Sequence, residues 1–317
     1  MRARSARPVS RTSRGRSARF APTSRASSTE PRSRMTLDGV LAVDIGGTKT
    51  AVGVVLPDAS IVVRDRIATP TRDPWPSIAR VVSRVLAAAP DVRLTAVGVG
   101  CGGPMDDAGV SPLHIPTWRN FPLREAMVEL TGLPVLVDND AKTFALAEGW
   151  RGAASGHRNF LGVIIGTGVG AGLVVNGRLA HGDSRNAGHI GHVVVEPGGK
   201  ECRCGALGCL EAYLAGRNVA DETGSSPRSA AGALIERNGR LLGRALASVV
   251  ALTSIDMAVI GGGVALGWGD PFIVAARREY AERARLGFAV GIPIEMSRLG
   301  ERAGLIGAAA LALGSPS

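Results

Sequence analysis

The sequence predicts an α/β fold made of two related halves. Strand-like and helix-like stretches alternate from Gly39 to Leu313, the pattern of helices layered on sheets. A strand–glycine turn–strand unit occurs twice. LAVDIGGTKTAVGVV at 41–55 aligns with LGVIIGTGVGAGLVV at 161–175, at a constant offset of 120. A repeated supersecondary unit implies a cleft with one glycine turn on each side. The third observation is a polar loop, Ala187–Glu211, that holds three of the four cysteines.

Taken in order, Leu41–Ile45 is a strand, Gly46-Gly47 a turn and Thr50–Val55 a return strand, with a third strand opening at Val62. Apolar residues at helical spacing predict a helix over Ile78–Ala88. A strand at Leu94–Val99, a helix at Leu123–Thr131 and a strand at Leu133–Val137 follow. Asn139-Asp140 opens a helix over Ala141–Trp150. After the second glycine hairpin and the cysteine loop, Leu210–Ala215 reads as a short helix and 221–230 as polar and Gly/Ser-rich. Helices at Leu241–Leu252 and 271–284 flank a buried strand, Met257–Ile260. A strand at 292–295 and a helix at Leu305–Leu313 close the chain.

The chain has 317 residues, 45% of them hydrophobic, enough for one or two domains with a sizeable core. No apolar run is long and uninterrupted enough to span a bilayer. The formal charge of +10 is unevenly placed. Residues 1–34 carry ten arginines and one acid, Glu30, so the remainder holds 27 basic and 26 acidic residues. That near-neutral remainder gives no argument for nucleic-acid binding. The Arg/Ser-rich segment 1–34 lacks apolar periodicity and reads as disordered. We read it as an upstream extension of a protein that starts at Met35. An organelle transit peptide is the second reading and a basic nucleic-acid arm the third.

His192, Cys202, Cys204 and Cys209 make a complete tetrahedral zinc set. Buried free thiols are the competing reading, but three thiols within eight residues of a polar loop favour a metal. Four protein ligands leave no open position, so the zinc is expected to be structural. The cysteine pattern suits a reducing compartment rather than a disulfide framework.

Backbone amides of a glycine turn can converge on an anion. Gly46, Gly47 and Thr48, with the charge of Lys49, suit a phosphate, as do Gly166, Thr167 and Gly168 in the second half. Plain hairpin geometry is the alternative. Two apparent nucleotide motifs fail. In GGTKT, Thr48 stands where a Walker A loop needs glycine. GVGCGG at 98–103 is followed by Pro104 and a turn, not by the helix that a dinucleotide fingerprint requires. Asp138, Asn139 and Asp140 stand at a strand end and helix start. Carboxylates there either cap the helix or serve chemistry, since a hydroxyl attacking a phosphoryl group needs a carboxylate to take its proton. Asp140 fits that role, with Asn139 holding a neighbouring hydroxyl.

Together these motifs resemble the ROK family of sugar kinases and repressors, within the actin-like ATPase (ribonuclease H-like) fold. The resemblance runs from about Leu41 to Leu313. DIGGTKT at 44–50 and IGTGVGAG at 165–172 match the family's two phosphate motifs, and DNDA at 138–141 its catalytic motif. GCGGPMD at 100–106 matches the glycine loop of the sugar domain, with Gly102 where proline is common. GHIGH…CRCGALGCLE at 188–211 matches the zinc and sugar signature, and VIGGGV at 259–264 the adenosine motif.

The resemblance implies ATP and Mg²⁺ as cofactors beside a structural Zn²⁺. It implies Asp140 as general base for the sugar's 6-hydroxyl, and Asp44 beside Mg²⁺ and the phosphates. Gly103, Asn139, His189, His192 and Glu211 would hold the sugar, and Gly262 and Gly263 would flank the nucleoside. It implies a small domain over 35–137 joined by a C-terminal helix from 303–317, a larger domain over 138–302, and a cytoplasmic homodimer without nucleic-acid or membrane partners. Many relatives carry glutamate where this chain has His189. The AGHIGH form is similar to that of bacterial N-acetylmannosamine kinases, which makes N-acetylmannosamine the expected acceptor and glucose the alternative. A sugar-responsive regulator is disfavoured, because 34 residues cannot hold a helix-turn-helix domain. The region 221–240 is shorter than in relatives, which puts the dimer surface or lid edge in question.

Overall fold

The computed structural model describes residues 37–112 and 115–314. The readings of segment 1–34 lie outside the described residues. In the first lobe, β1 (Leu37–Ile45), β2 (Lys49–Val55) and β3 (Ile61–Ala68) form an antiparallel meander. Helix α1 (Trp75–Ala87) leads to β4 (Val92–Cys101), then a small hairpin of β5 (Met105–Asp106) and β6 (Gly109–Val110). Helix α2 (Leu123–Thr131) and β7 (Val135–Asn139) complete the lobe. The sheet order is β3-β2-β1-β4-β7, with β4 and β7 parallel to β1.

The second lobe opens with α3 (Asp140–Arg151), followed by β8 (Phe160–Ile165), β9 (Val169–Val175) and β10 (Arg178–Leu179). Helices α4 (Leu210–Leu214), α5 (Gly216–Thr223) and α6 (Gly232–Thr253) precede β11 (Met257–Gly261). Helix α7 (Gly263–Arg283), β12 (Ile294–Met296) and α8 (Ala303–Leu313) end the chain. The second sheet runs β10-β9-β8-β11-β12. Its hairpins are antiparallel and its last two strands parallel to β8, so it repeats the first sheet strand for strand.

Alternation along each lead strand shows why these segments are nearly all apolar: both faces are covered. Leu41, Val43 and Ile45 of β1 pack with Ile78, Val81, Val82 and Val85 of α1. Those four helix positions recur at three- and four-residue spacing, and each buried side chain contributes about 1.5–3 kcal/mol. Val40 and Ala42, on the other face, meet Leu305, Ala308 and Ala309 of α8. Asp44 shares that face, which sends its carboxylate toward α8. Glycines let the helices approach closely. A β-carbon on Gly98 would fall 1.8 Å from the Ala308 carbonyl oxygen, and one on Gly172 2.6 Å from the Ala145 β-carbon.

The structure corrects the sequence alignment at one point. Ile45 pairs with Thr50, whereas Ile165 pairs with Val169. Gly46–Lys49 therefore make the first turn and only Gly166–Gly168 the second. The offset of 120 holds through the first strand of each hairpin and becomes 119 in the second. The matches of Ala51 to Ala171 and Val54 to Val174 were thus out of structural register; Gly53 and Gly172 are equivalent.

Helices are also longer than their apolar spacing suggested. Helix α6 starts at Gly232, not Leu241, and α5 was not expected. Helix α7 starts directly after β11 and kinks at Gly269 (φ 60°), next to Pro271. The proline lacks an amide and clashes with the preceding turn, so the earlier helix could not be read as continuous. Among the described residues no helix is long and apolar enough to cross a membrane.

Candidate active site

A cavity of about 790 Å³ lies between the lobes. Both glycine turns line it, as do Asp44, Gly103, Asn139, Asp140, His189, His192, Glu211, Gly262 and Gly263. Every substrate, phosphate and base residue expected from the sequence thus borders one space.

The turns nearly touch. A β-carbon on Gly47 would fall 3.1 Å from Thr167 Oγ1. Gly46 N donates to the Lys49 carbonyl (3.0 Å) and Gly166 N to the Gly168 carbonyl (2.9 Å), which closes each turn. The amides of Gly47, Thr48, Thr167 and Gly168 have no backbone acceptor among the described residues, an arrangement in which converging amides can meet an anion. Thr69 braces the first turn by donating from Oγ1 to the Gly46 carbonyl (2.9 Å). Gly216 N braces the second through the Gly166 carbonyl (2.8 Å). Gly262, at φ 92°, passes so near Ile165 that a β-carbon would lie 2.3 Å from its carbonyl oxygen. Lys49 Nζ sits 3.1 Å from Glu301 Oε1 in a solvent-exposed pair, which water screens and which holds the lysine only weakly.

Asp140 is the first residue of α3, with Asn139 as its cap. The Ala141 amide donates both to Asn139 Oδ1 (3.0 Å) and to Asp140 Oδ1 (2.9 Å). The cap of α3 is thus Asn139, and Asp140 lines the cleft. Asn139 Nδ2 donates to the Gly103 carbonyl (3.3 Å); Gly103 has a φ of 97°, and a β-carbon there would fall 2.5 Å from Pro112 Cα. Burial raises the Asp140 carboxyl above its ordinary range, opposed by the Ala141 amide. Burial first, and then the Asp140 charge, push Asp44 up to about 7, with Lys49 opposing. Both side chains keep part of their surface open to the cleft.

Glu211 Oε2 accepts from the Val169 amide (3.0 Å), and Oε1 accepts from Arg217 Nη2 (3.0 Å). A carboxylate offers about four acceptor positions, so capacity for substrate hydroxyls remains. His189 lies 6.0 Å, ring to ring, from His192. Burial first, then His192 and Lys142, hold its imidazole below the usual range.

The ligand atoms of His192, Cys202, Cys204 and Cys209 all lie within 4.8 Å of one another. Cys204 Sγ is 3.7 Å from Cys209 Sγ, and Cys202 Sγ is 3.8 Å from His192 Nδ1. A tetrahedral ion with bonds of about 2.3 Å to sulfur has edges of about 3.8 Å, so these four could close around one ion. The Ala206 amide, together with the neighbouring thiols, lowers the Cys204 thiol to about 7. Cys101 is buried in the first lobe, away from this group.

Among the cleft residues not anticipated from the sequence are four cations, Lys142, Arg185, Arg217 and Arg228. Lys142 had a signal, a lone lysine in a helix that is otherwise buried along Ala141–Gly149. Arg217 follows the cysteine loop in a segment with no apolar periodicity. Its Nε is buried without a hydrogen-bond partner among the described residues.

Paired phosphate-type turns on duplicated sheets, with a carboxylate at a helix start between them, define a phosphotransferase of the actin-like ATPase fold. Residues 40–315 match the ROK family, to which the chain belongs, and it is a sugar kinase. It is 33% identical to the N-acetylmannosamine kinase of Citrobacter koseri, over 86% of this chain and 98% of the relative. It is 32% identical to the glucokinase of Halalkalibacterium halodurans, over 84% and 92%. The crystal structure of a ROK family glucokinase from Streptomyces griseus, in complex with glucose and AMPPNP, superposes with a TM-score of 0.75 at 30% identity. That match covers 87% of this chain and 100% of the other.

Proposed function

We propose that this kinase transfers the γ-phosphoryl group of ATP to the 6-hydroxyl of N-acetylmannosamine, giving N-acetylmannosamine 6-phosphate and ADP. The carrying observation is Asp140, held at the start of α3 on the wall of the cavity that both phosphate turns share. Its carboxylate takes the hydroxyl proton as that oxygen bonds to phosphorus, and the bond to the ADP oxygen breaks. Its raised basicity suits proton acceptance. Gly46, Gly47, Thr48, Lys49, Gly166, Thr167 and Gly168 hold the phosphates, and Gly262 and Gly263 flank the nucleoside. Gly103, Asn139, His189, His192 and Glu211 hold the sugar.

Asp44, raised by burial and then by the Asp140 charge, with Lys49 opposing, fits a divalent cation; it would hold Mg²⁺, which would neutralise phosphate charge when bound. The thiol and imidazole set fits zinc, with His192 serving both metal and sugar loop. The acceptor assignment is supported by His189 at the position where many family members have glutamate, because buried polar groups left unmatched by the wrong sugar are costly. Glucose is the second reading, favoured by glucokinase relatives of comparable identity. We take residues 35–137 with the terminal helix as the smaller domain and 138–302 as the larger. We place the enzyme in the cytoplasm as a homodimer. A coupled ADP-release assay across N-acetylmannosamine, N-acetylglucosamine, glucose and mannose tests this. Turnover fastest on N-acetylmannosamine supports it, and no turnover on any of the four refutes it.

A further inference from the structure

We propose that Lys142 positions the sugar-facing loop against the helix that carries Asp140. The lysine is 1% exposed, yet it borders the cleft. Its ammonium donates to the Arg185 carbonyl at 2.7 Å and lies 3.4 Å from Asp138 Oδ1. Asp138 is equally buried; its Oδ1 also accepts from the Asn139 amide (2.8 Å), and its Oδ2 lies 3.3 Å from His181 Nδ1. A buried ammonium is tolerated only with such partners.

The cluster joins three segments. Asp138 is the penultimate residue of β7, Lys142 lies in the first turn of α3, and Arg185 and His181 belong to the loop that runs on to His189. Asp138 and Lys142 belong to different elements, the strand and the helix that follows it, and their 3.4 Å approach ties the two together across the cap. Arg185 holds a left-handed backbone (φ 60°), which is unfavourable for a residue with a β-carbon. The Lys142 bond secures the carbonyl that this conformation presents. Its side chain crosses to the first lobe, with Nη1 3.4 Å from Asp107 Oδ1 and Nη2 donating to the Val137 carbonyl (3.5 Å). The ammonium is the buried contact that ties this loop directly to α3, alongside the Arg185 contacts to the first lobe and the Ala171 amide bond to the Gly188 carbonyl (2.9 Å). A displacement of about 1 Å at a reacting centre costs on the order of a hundredfold.

This rests on the reading that Asp140 and His189 face the sugar. Lys142→Met is expected to raise the sugar KM ten- to a hundredfold while the ATP KM stays within about threefold. Amide hydrogen exchange over residues 181–189 should accelerate, a readout independent of the substrate's identity. Asp138→Asn/Lys142→Met removes the charge left unpaired by the single change, and should recover melting temperature without recovering sugar KM or exchange protection. Unchanged exchange over 181–189 in Lys142→Met overturns the proposal, whatever the substrate panel gives. So does a double variant whose sugar KM returns together with its stability. Inactive wild-type protein with accelerated exchange in Lys142→Met would instead fault the acceptor reading alone and leave the positioning role supported.

Discussion

The carboxylate of Asp44 lies against Gly304, so close that a β-carbon there would sit 2.1 Å from Oδ2. The last helix thus reaches the phosphate site through the one residue type that leaves room. Gly304→Ala should move Asp44 and raise the KM for Mg·ATP at least tenfold while the sugar KM holds. Alanine is the better helix former by about 1 kcal/mol, so the melting temperature should change little. Steady-state kinetics with each substrate varied in turn checks this.

Asp140→Asn keeps the shape and removes the proton acceptor. Its kcat should fall by about 10²–10⁴, with sugar binding by calorimetry within a few-fold of the parent. Turnover within tenfold of the parent would remove Asp140 from the role of base.

Asp44 should leave a signature in stability against pH. Its carboxyl is raised to about 7 in the folded chain, against an ordinary value near 4 when unfolded. Below both values the folded and unfolded states bind the same proton, and there is no effect. Between them the folded state binds more, so stability falls as pH rises from about 4 to about 7. Asp44→Asn abolishes that loss. Its gain over the parent should be near zero at pH 4 and on the order of 2–4 kcal/mol at pH 8, read from denaturant melts without nucleotide.

Zinc content should be one ion per chain by elemental analysis. Cys209→Ser, at a fully buried ligand, should lose the ion, melt earlier and raise the sugar KM. Cys204→Ser, at the exposed corner, should retain a weaker site. Chelation of the parent should reproduce the Cys209→Ser profile.

His189→Glu should move preference toward glucose. The ratio of kcat/KM for N-acetylmannosamine over glucose is expected to drop ten- to a hundredfold, measured by the same ADP-release assay.

Much of this was readable from residues. Leu123–Thr131 is a helix with the predicted bounds, ended by Gly132 in the left-handed form. The metal-type quartet and the Asn139–Asp140 helix start were legible because spacing and residue type carry the chemistry directly. Lys142, Arg185 and Arg217 were not. A buried charge is recognisable only through its partner, and Lys142 meets Arg185 across 43 positions of chain. Helix α7 was half seen because Gly269 and Pro271 interrupt its pattern. The hairpin register escaped as well, since valine and alanine fit either side of a one-residue slip.

That slip has a further consequence. The two copies of the hairpin share a scaffold but differ in the turn. A lysine inserted between Gly168 and Val169 would give the second turn the length of the first and leave the register of β9 in place. Drawn into the strand instead, it would swing Val169 and Ala171 off the core face of their sheet. The duplicated gene segment has become two parts of unequal gauge, and only the longer turn has room for a cation of its own.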